Sequence, residues 1–368
     1  MPEVGWRLRL APLLLALAVL PTLGRPPDGV PSAAASPVIP CSRVATTPAW
    51  YQLRERAGPR GELSGYELRL GRGARVHRWQ RSLFPESFAA GPFDGTVLVG
   101  TDDGARSQLW FVGVDGDCAR LAHSDRMAIV RAATLDPGRR WVYAHRIARG
   151  SRTDLGIWRM ALFGGRAWQR VLPPLAVSDP KAAQWLAPVF ATSLAWSSDG
   201  ARLAIESCGQ AACMTRLLDP ATGGTVSIDH RGESVGVGGG GLYAYAGCGG
   251  FPCPILRYDL GDGRWTPALI ATGPGRLAAS DTGAVLAAPM GRQRLVLLRD
   301  DRDERMSVQA VETDLAPLAG SGRGRADLET PVGWLPLVST RARGRSGEPA
   351  GLLRVSDGAI ARLEEARP

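Results

Sequence analysis

The chain has 368 residues, 45% of them apolar, and a formal net charge of +9. This length and apolar content allow a large buried core. The positive charge is moderate and rests almost entirely on arginine, which favours an anionic surface over nucleic acid as a partner. Asparagine is absent, so the sequence contains no N-x-[ST] glycosylation site.

The N-terminus has the pattern of an export signal. Arg7 and Arg9 precede the apolar run Leu10–Leu20. About eleven apolar residues are too few to span a bilayer, which needs about 20, but they suit the core of a signal peptide. Together with the Pro/Ala-rich stretch that follows, residues 1–35 are predicted to be a signal peptide and spacer. The protein is therefore expected to be secreted or periplasmic.

Two other readings of the N-terminus remain open. The apolar run could stay uncleaved as an N-terminal anchor. A lipoprotein would need a small residue before Cys41, and Pro40 stands there instead. The small residues Ala33–Ala35 offer a cleavage site for the signal-peptide reading.

From Cys41 onward the sequence repeats a pair of hairpins. The clearest copy, WSSDGARLAIES at Trp196–Ser207, reads as the end of a strand, a Ser-Asp-Gly turn and an alternating strand. Rougher copies lie at Phe93–Asp102, Leu135–Arg146, Val237–Gly247 and Ala279–Pro289. A second unit of strand, tight turn and strand recurs through the chain, centred near Tyr66, Trp110, Trp158, Arg216, Leu256, Val296 and Leu353.

These hairpin pairs predict an all-β fold. They recur about every 40–60 residues, as the four-stranded blades of a β-propeller do. Residues 41–366 are therefore predicted to form a single propeller domain of seven blades, with six as the alternative. The first blade lacks a clear turn before Tyr51 and could borrow a strand from the other end of the chain. Ring closure of this kind removes exposed sheet edges.

Two insertions interrupt the repeat, at Pro173–Phe190 and Glu312–Pro331. Each is expected to join the last strand of one blade to the first strand of the next. The Gly/Arg-rich tract in the second insertion is expected to be mobile.

The cysteines are predicted to form disulfides. The C-x4-C pairs Cys208–Cys213 and Cys248–Cys253 occupy the same position in two successive repeats. An exported chain meets an oxidising environment, which favours two short bridges. The alternative is one zinc ion held by the four thiolates. Cys41 and Cys118 remain as a long-range pair.

The pattern Trp-Ser-x-Asp-Gly-x-x-Leu-Ala at Trp196–Ala204 resembles the propeller repeat of the TolB-like and WD-repeat-like bacterial families. Leu135–Arg146 together with Gly156–Gly165 resembles a second, degraded copy. The resemblance extends over most of residues 50–365. It implies a binding scaffold, which in some members is fused to a peptidase domain.

Catalytic motifs are hard to find in the sequence. His77, His123, His145 and His230 form neither H-E-x-x-H nor another two-histidine metal spacing, and there is no G-x-S-x-G. No catalytic residue, metal or cofactor is therefore predicted. A glycosidase needs two convergent carboxylates, and loop positions offer a set that could converge: Asp102, Asp103, Asp154 and Glu206.

Arginines recur in loops that a propeller gathers on one face. Arginine forks suit carboxylate and phosphate oxygens, so these loops predict a positive rim for an anionic partner. The candidate binding residues are Arg106, Arg149, Arg152, Arg292, Arg341, Arg343 and Arg345. Trp185, in the first insertion, is the tryptophan expected to be exposed.

The sequence thus favours a monomeric, exported, non-catalytic binding scaffold without a stable transmembrane span. Its expected partner is a protein or an anionic polymer of the cell envelope. The alternatives are a carbohydrate-active or other hydrolytic propeller that uses loop carboxylates, and a purely structural envelope component.

Overall fold

The computed structural model describes the strands of the repeat and most of their connections. The described residues are 39–42, 49–60, 62–72, 75–83, 88–93, 95–163, 167–174, 193–209, 212–280, 283–291, 293–301, 306–313, 315–317, 327–329, 334–339, 349–354, 356 and 358–362. They all belong to one compact unit, residues 37–368. The predicted signal peptide and spacer lie outside them.

The described strands form seven four-stranded antiparallel sheets, which we call blades 1 to 7. Blades 1 to 3 consist of β1 Ala49–Ala57, β2 Leu63–Arg72 and β3 Arg75–Leu83; β4 Phe88–Phe93, β5 Thr96–Asp102, β6 Ser107–Gly113 and β7 Ala119–Asp125; and β8 Ala128–Leu135, β9 Trp141–Ala148, β10 Asp154–Ala161 and β11 Trp168–Leu172. Blades 4 and 5 consist of β12 Ser193–Trp196, β13 Leu203–Cys208, β14 Cys213–Leu218 and β15 Thr225–His230; and β16 Ser234–Gly238, β17 Gly241–Tyr245, β18 Cys253–Asp259 and β19 Trp265–Ala271. Blades 6 and 7 consist of β20 Arg276–Ser280, β21 Gly283–Pro289, β22 Arg294–Asp301 and β23 Met306–Glu312; and β24 Leu315–Pro317, β26 Trp334–Ser339, β27 Pro349–Arg354 and β28 Ile360–Arg362.

The prediction of a β-propeller with four-stranded blades is confirmed. Within blades 2 to 6 the strands pair in sequence order, from the inner strand to the outer one. Inner strands of successive blades contact one another, as in β4 with β8 and β16 with β20.

Burial follows strand position within a blade. All residues of the second strand of blade 2, β5, are buried, because neighbouring blades cover both of its faces. The outer strand of the same blade, β7, carries mostly exposed residues. The apolar core lies between blades, as where Tyr143 and Ile157 of blade 3 pack with Leu203 and Ile205 of blade 4.

The ring is closed by a strand from late in the chain. Blade 1 has the order β25-β1-β2-β3, and its fourth strand is β25, Asp327–Glu329. In this pairing Tyr51 lies opposite Glu329 and Leu53 opposite Asp327. The first blade therefore borrows a strand, which removes an open edge from the ring.

This strand corrects the interpretation of the second insertion. The insertion was expected to join two blades, but β24 within it is already the first strand of blade 7 and β25 belongs to blade 1. Residues 318–326, which lie between β24 and β25 and contain the Gly/Arg-rich tract, are outside the described residues. Most of the first insertion is also outside them.

The tight turns use the Asp-Gly chemistry that the sequence shows. In the turn after Trp196, the Ser197 hydroxyl donates to Asp199 over 2.5 Å, and Gly200 adopts a φ of 69°. The amide of Ala201 donates to the same aspartate carboxylate. A residue with a side chain is strained at this positive φ, so glycine is favoured there.

The six cysteines form three disulfide bonds: Cys41–Cys118, Cys208–Cys213 and Cys248–Cys253. These are the pairs expected from the sequence. Three disulfides indicate an extracytoplasmic environment, since cytosolic thiols are kept reduced. Among the described residues, no helix is long and apolar enough to cross a membrane.

Candidate functional site

The loops of each blade emerge on two opposite faces. In an antiparallel blade, the connection between the second and third strands lies on the same side as the connection to the next blade. We call this side the loop face. Both short disulfides and the loops that carry Arg106, Arg149 and Arg152 belong to it.

At the junction of blades 2 and 3, the loop face carries an ion pair. Arg149, which follows β9, donates two hydrogen bonds to Asp102 at the end of β5. Its Nη2 lies 2.6 Å from Oδ2 and its Nη1 lies 3.1 Å from Oδ1. It also donates to the carbonyl of Gly104 at 2.7 Å. The hydrogen bond to Asp102 raises the pKa of Arg149. Arg149 is therefore already neutralised by its neighbour.

A second ion pair lies deeper in the same junction. Arg146 donates to Asp125 over 2.5 Å, and its guanidinium lies 4.9 Å from the Trp158 ring centroid. Burial alone would raise the pKa of Asp125, but the amides of Met127 and Ala128 and the Arg146 guanidinium outweigh it and lower that pKa. This carboxylate is charged and bound within the protein.

Between blades 3 and 4 lies a buried histidine. His145 Nε2 is 2.9 Å from Asp154 Oδ1, and the amide of Gly156 donates to the same oxygen. Burial lowers the pKa of Arg216 in blade 4, and the negative charge of the nearby Asp154 partly opposes this shift. His145 is thus a hydrogen-bonded core histidine at a blade junction.

Between blades 4 and 5 lies a polar group that we call the Glu206 cluster, formed by Glu206, Thr215 and His230. Glu206 accepts from the Ser234 amide at 2.6 Å and from the Ser193 hydroxyl at 3.3 Å. Thr215 Oγ1 lies 2.8 Å from His230 Nε2. All three members of the cluster are buried.

The tautomer of His230 follows from its partners. Nδ1 lies 2.6 Å from the carbonyl oxygen of Gly232, which can only accept a hydrogen bond. Nδ1 therefore donates this hydrogen bond, and in the neutral ring Nε2 is the acceptor that faces Thr215. The cluster borders the Cys208–Cys213 bridge, because Cys213 lies directly opposite His230 in the sheet.

The four carboxylates that the sequence offered for a hydrolytic site do not form a pair that converges on one pocket. Asp102, Asp154 and Glu206 each bond at a different blade junction. Asp103 is exposed, and the amides of Arg106 and Ala105 lower its pKa. Convergence of these carboxylates, which a hydrolytic site would need, is therefore absent among them.

The predicted arginine rim is described only in part. Arg106 and Arg152 are exposed on the loop face, whereas Arg149 is held by Asp102. The remaining candidates, Arg292, Arg341, Arg343, Arg345 and Trp185, lie outside the described residues.

The loop face also exposes large apolar side chains, which sequence reasoning missed. Met127, in the connection between blades 2 and 3, is 80% exposed, and Met290, before β22, is 54% exposed. Phe251, inside the Cys248–Cys253 loop, is 42% exposed and packs edge-on against Tyr245 with centroids 5.7 Å apart. A sequence signal existed for Phe251, since it lies in the predicted loop between Cys248 and Cys253 among small residues.

No protein-family profile and no curated protein sequence matches this chain. Among solved structures it is similar to TolB from Acinetobacter baumannii, with 13% identity over 77% of this chain and 66% of that one and a TM-score of 0.42. It is also similar to a prolyl endopeptidase, with 15% identity over 86% of this chain, 48% of that one and a TM-score of 0.47.

A third similar structure is a 6-phosphogluconolactonase-like protein from Bacteroides fragilis, with 10% identity, coverage of 87% and 95% and a TM-score of 0.45. The chain thus spans about two thirds of the TolB and about half of the endopeptidase. Likeness at this level carries no argument about family or activity, and the propeller architecture rests on the seven four-stranded sheets.

Proposed function

We propose that this protein is an exported, non-catalytic scaffold whose loop face docks a protein partner. The observation that carries the proposal is the exposure of Met127, Phe251 and Met290 on that face. Methionine, aromatic residues and arginine are enriched in protein interfaces, and Arg106 and Arg152 are exposed on the same face.

The polar groups beneath the face support this proposal. The ion pairs at Asp102 and Asp125, the His145–Asp154 pair and the Glu206 cluster each join two blades or brace a junction. Their four carboxylates accept hydrogen bonds from groups of the protein itself, so these contacts hold the loops in place. A rigid face loses little conformational entropy on binding.

The test compares two triple variants on the full chain. The loop-face variant changes Met127, Phe251 and Met290 to Ser. The control variant changes three exposed apolar residues of outer strands, Val226, Ile270 and Val308, to Ser. Crosslinking in the native envelope followed by mass spectrometry should lose a specific protein adduct only in the loop-face variant.

Equal loss in both variants, or no adduct with the unchanged protein, would contradict a protein-binding loop face. The anionic-polymer alternative predicts instead a salt-sensitive affinity for acidic polysaccharide, which falls when Arg341, Arg343 and Arg345 are changed together to Ser. The hydrolytic alternative predicts turnover that Asp154→Asn or Glu206→Gln abolishes.

A further inference from the structure

The Glu206 cluster lies beside the Cys208–Cys213 disulfide, and the sulfur of Cys213 is a potential third metal ligand. Cys213 Sγ, one carboxylate oxygen of Glu206 and one ring nitrogen of His230 lie within 4.8 Å of one another. Cysteine, histidine and glutamate are three of the side chains that bind zinc. In the oxidised protein the sulfur is bonded to Cys208 and cannot act as a thiolate ligand.

We propose that opening the Cys208–Cys213 bridge creates a site for a divalent zinc-like cation, held by Cys213, His230 and Glu206. The cation would have three protein ligands and one open position. Such a site is independent of the docking function proposed above, since it lies at the blade 4–5 junction and needs none of the exposed apolar residues.

The ring of His230 is already oriented as in a metal ligand. Metal-bound histidines commonly donate their second ring N–H to a carbonyl or carboxylate, which fixes the ring. The Nδ1–H of His230 does this toward Gly232, which leaves Nε2 as the ligand atom of the neutral ring. Movement of the Thr215 hydroxyl, which lies 2.8 Å from Nε2, would give the cation access to that nitrogen.

The carboxylate is held in the same manner. The Ser234 amide and the Ser193 hydroxyl donate to Glu206 and fix its orientation. Ligands about 2.0–2.3 Å from a tetrahedral zinc ion are about 3.5 Å apart. Since the three ligand atoms lie within 4.8 Å of one another, each pair needs to close by at most about 1.3 Å.

Opening of the bridge needs a dithiol reductant. A reductant thiolate attacks Cys208 Sγ, forms a mixed disulfide with it and releases the Cys213 sulfur as a thiolate. The second thiol of the reductant then displaces Cys208 and leaves as a cyclic disulfide. Cys208 is the accessible partner, because it is half-buried whereas Cys213 is buried. The freed Cys213 thiolate binds the cation directly.

The test avoids reductant by removing the competing sulfur. In Cys208→Ser the thiol of Cys213 is free while the other two disulfides remain, which peptide mapping would check. Titration of the anaerobic full chain with Co²⁺ should give one bound ion with a thiolate-to-cobalt charge-transfer band. His230→Ala in that background should weaken binding at least about 100-fold, since even outer-shell changes cost 10–100-fold.

Blade 5 supplies the matched control. Cys248→Ser frees Cys253 at the equivalent position, but Ala271 lies opposite Cys253 and Tyr245 occupies the position of Glu206. This variant should bind no Co²⁺ through sulfur. Equal Co²⁺ affinity and spectra in the two single variants, or no binding by Cys208→Ser with its fold intact by circular dichroism, would overturn the proposal.

Discussion

In blade 4 the hairpin closed by Cys208–Cys213 lies beside Glu206, Thr215 and His230, whereas in blade 5 the hairpin closed by Cys248–Cys253 lies beside Tyr245, Ile255 and Ala271. The two hairpins have equal cysteine spacing, but their registers differ by one residue. Cys208 lies directly opposite Cys213 in blade 4, whereas in blade 5 the last pair of the two strands is Tyr245 opposite Ile255.

Counted from the second cysteine, the two hairpins still correspond. Glu206 opposite Thr215 matches Tyr245 opposite Ile255, and His230 opposite Cys213 matches Ala271 opposite Cys253. The same cysteine spacing therefore accompanies a carboxylate and an imidazole in one blade, and a tyrosine with apolar neighbours in the next. The bridge shapes the loop in both, and the residues around it decide what else the site can do.

The largest expected effect comes from introducing a buried carboxylate into blade 5. Ala244 is buried, and Ala244→Glu would place a charge there without a partner, because the Ser234 amide opposite it is already bound by Glu206. An uncompensated buried charge costs about 3–5 kcal/mol, and urea unfolding should show a loss of this size. Glu206→Ala, which removes the native carboxylate, is the control and should cost about 1–3 kcal/mol. A cost for Ala244→Glu no greater than for Glu206→Ala would show that blade 5 tolerates charge.

The reverse change makes blade 4 resemble blade 5. His230→Ala removes the partner of the Thr215 hydroxyl and of the Gly232 carbonyl. Leaving buried polar groups unsatisfied costs about 1–3 kcal/mol each, so we expect a loss of about 2–3 kcal/mol in the free energy of unfolding. Thermal and urea unfolding measure this value. A loss below about 0.5 kcal/mol would mean that water replaces the imidazole.

The disulfides themselves should contribute equally. Each short bridge spans a sequence separation of 5, for which chain entropy gives about 2 kcal/mol. The double variants Cys208→Ser/Cys213→Ser and Cys248→Ser/Cys253→Ser should therefore lose similar stability in metal-free buffer with chelator. A difference above about 1 kcal/mol would show that the Glu206 cluster depends on its bridge.

The smallest effect isolates one hydrogen bond of the cluster. Thr215→Val removes the hydroxyl that faces His230 Nε2 and should cost about 1 kcal/mol. In combination with His230→Ala the two losses should be less than additive by about 1 kcal/mol, as coupled neighbours are. Additive losses in this double-mutant cycle would indicate that the two side chains do not interact.

Sequence reasoning predicted the blade architecture because turn chemistry and strand alternation are local. The Ser-Asp-Gly turn at Ser197–Gly200 has its hydrogen bonds within a few residues. The three cysteine pairs follow from export and from matched hairpin positions, which are also readable along the chain.

The sequence did not predict the contacts that form between blades. Arg149 was assigned to a free positive rim, but its neutralising partner Asp102 lies in another blade. His230 was examined for histidine spacing alone, although its register opposite Cys213 could have placed it beside the bridge. The second insertion gave no sign of β25, since three residues are too few to show strand alternation.

The pairing of β25 with β1 has a consequence for the order of folding. Blade 1 begins near the start of the domain, but its missing strand is synthesised only after blades 2 to 6. If an unfolded chain crosses a membrane from its N-terminus, blades 2 to 6 can assemble from local hairpins while β1 still has an unpaired edge. The pairing of β25 with β1 then closes a long-range loop, and this step has the greatest cost in chain entropy. During that interval the unpaired edge of β1 is the part of the molecule most exposed to pairing with another chain.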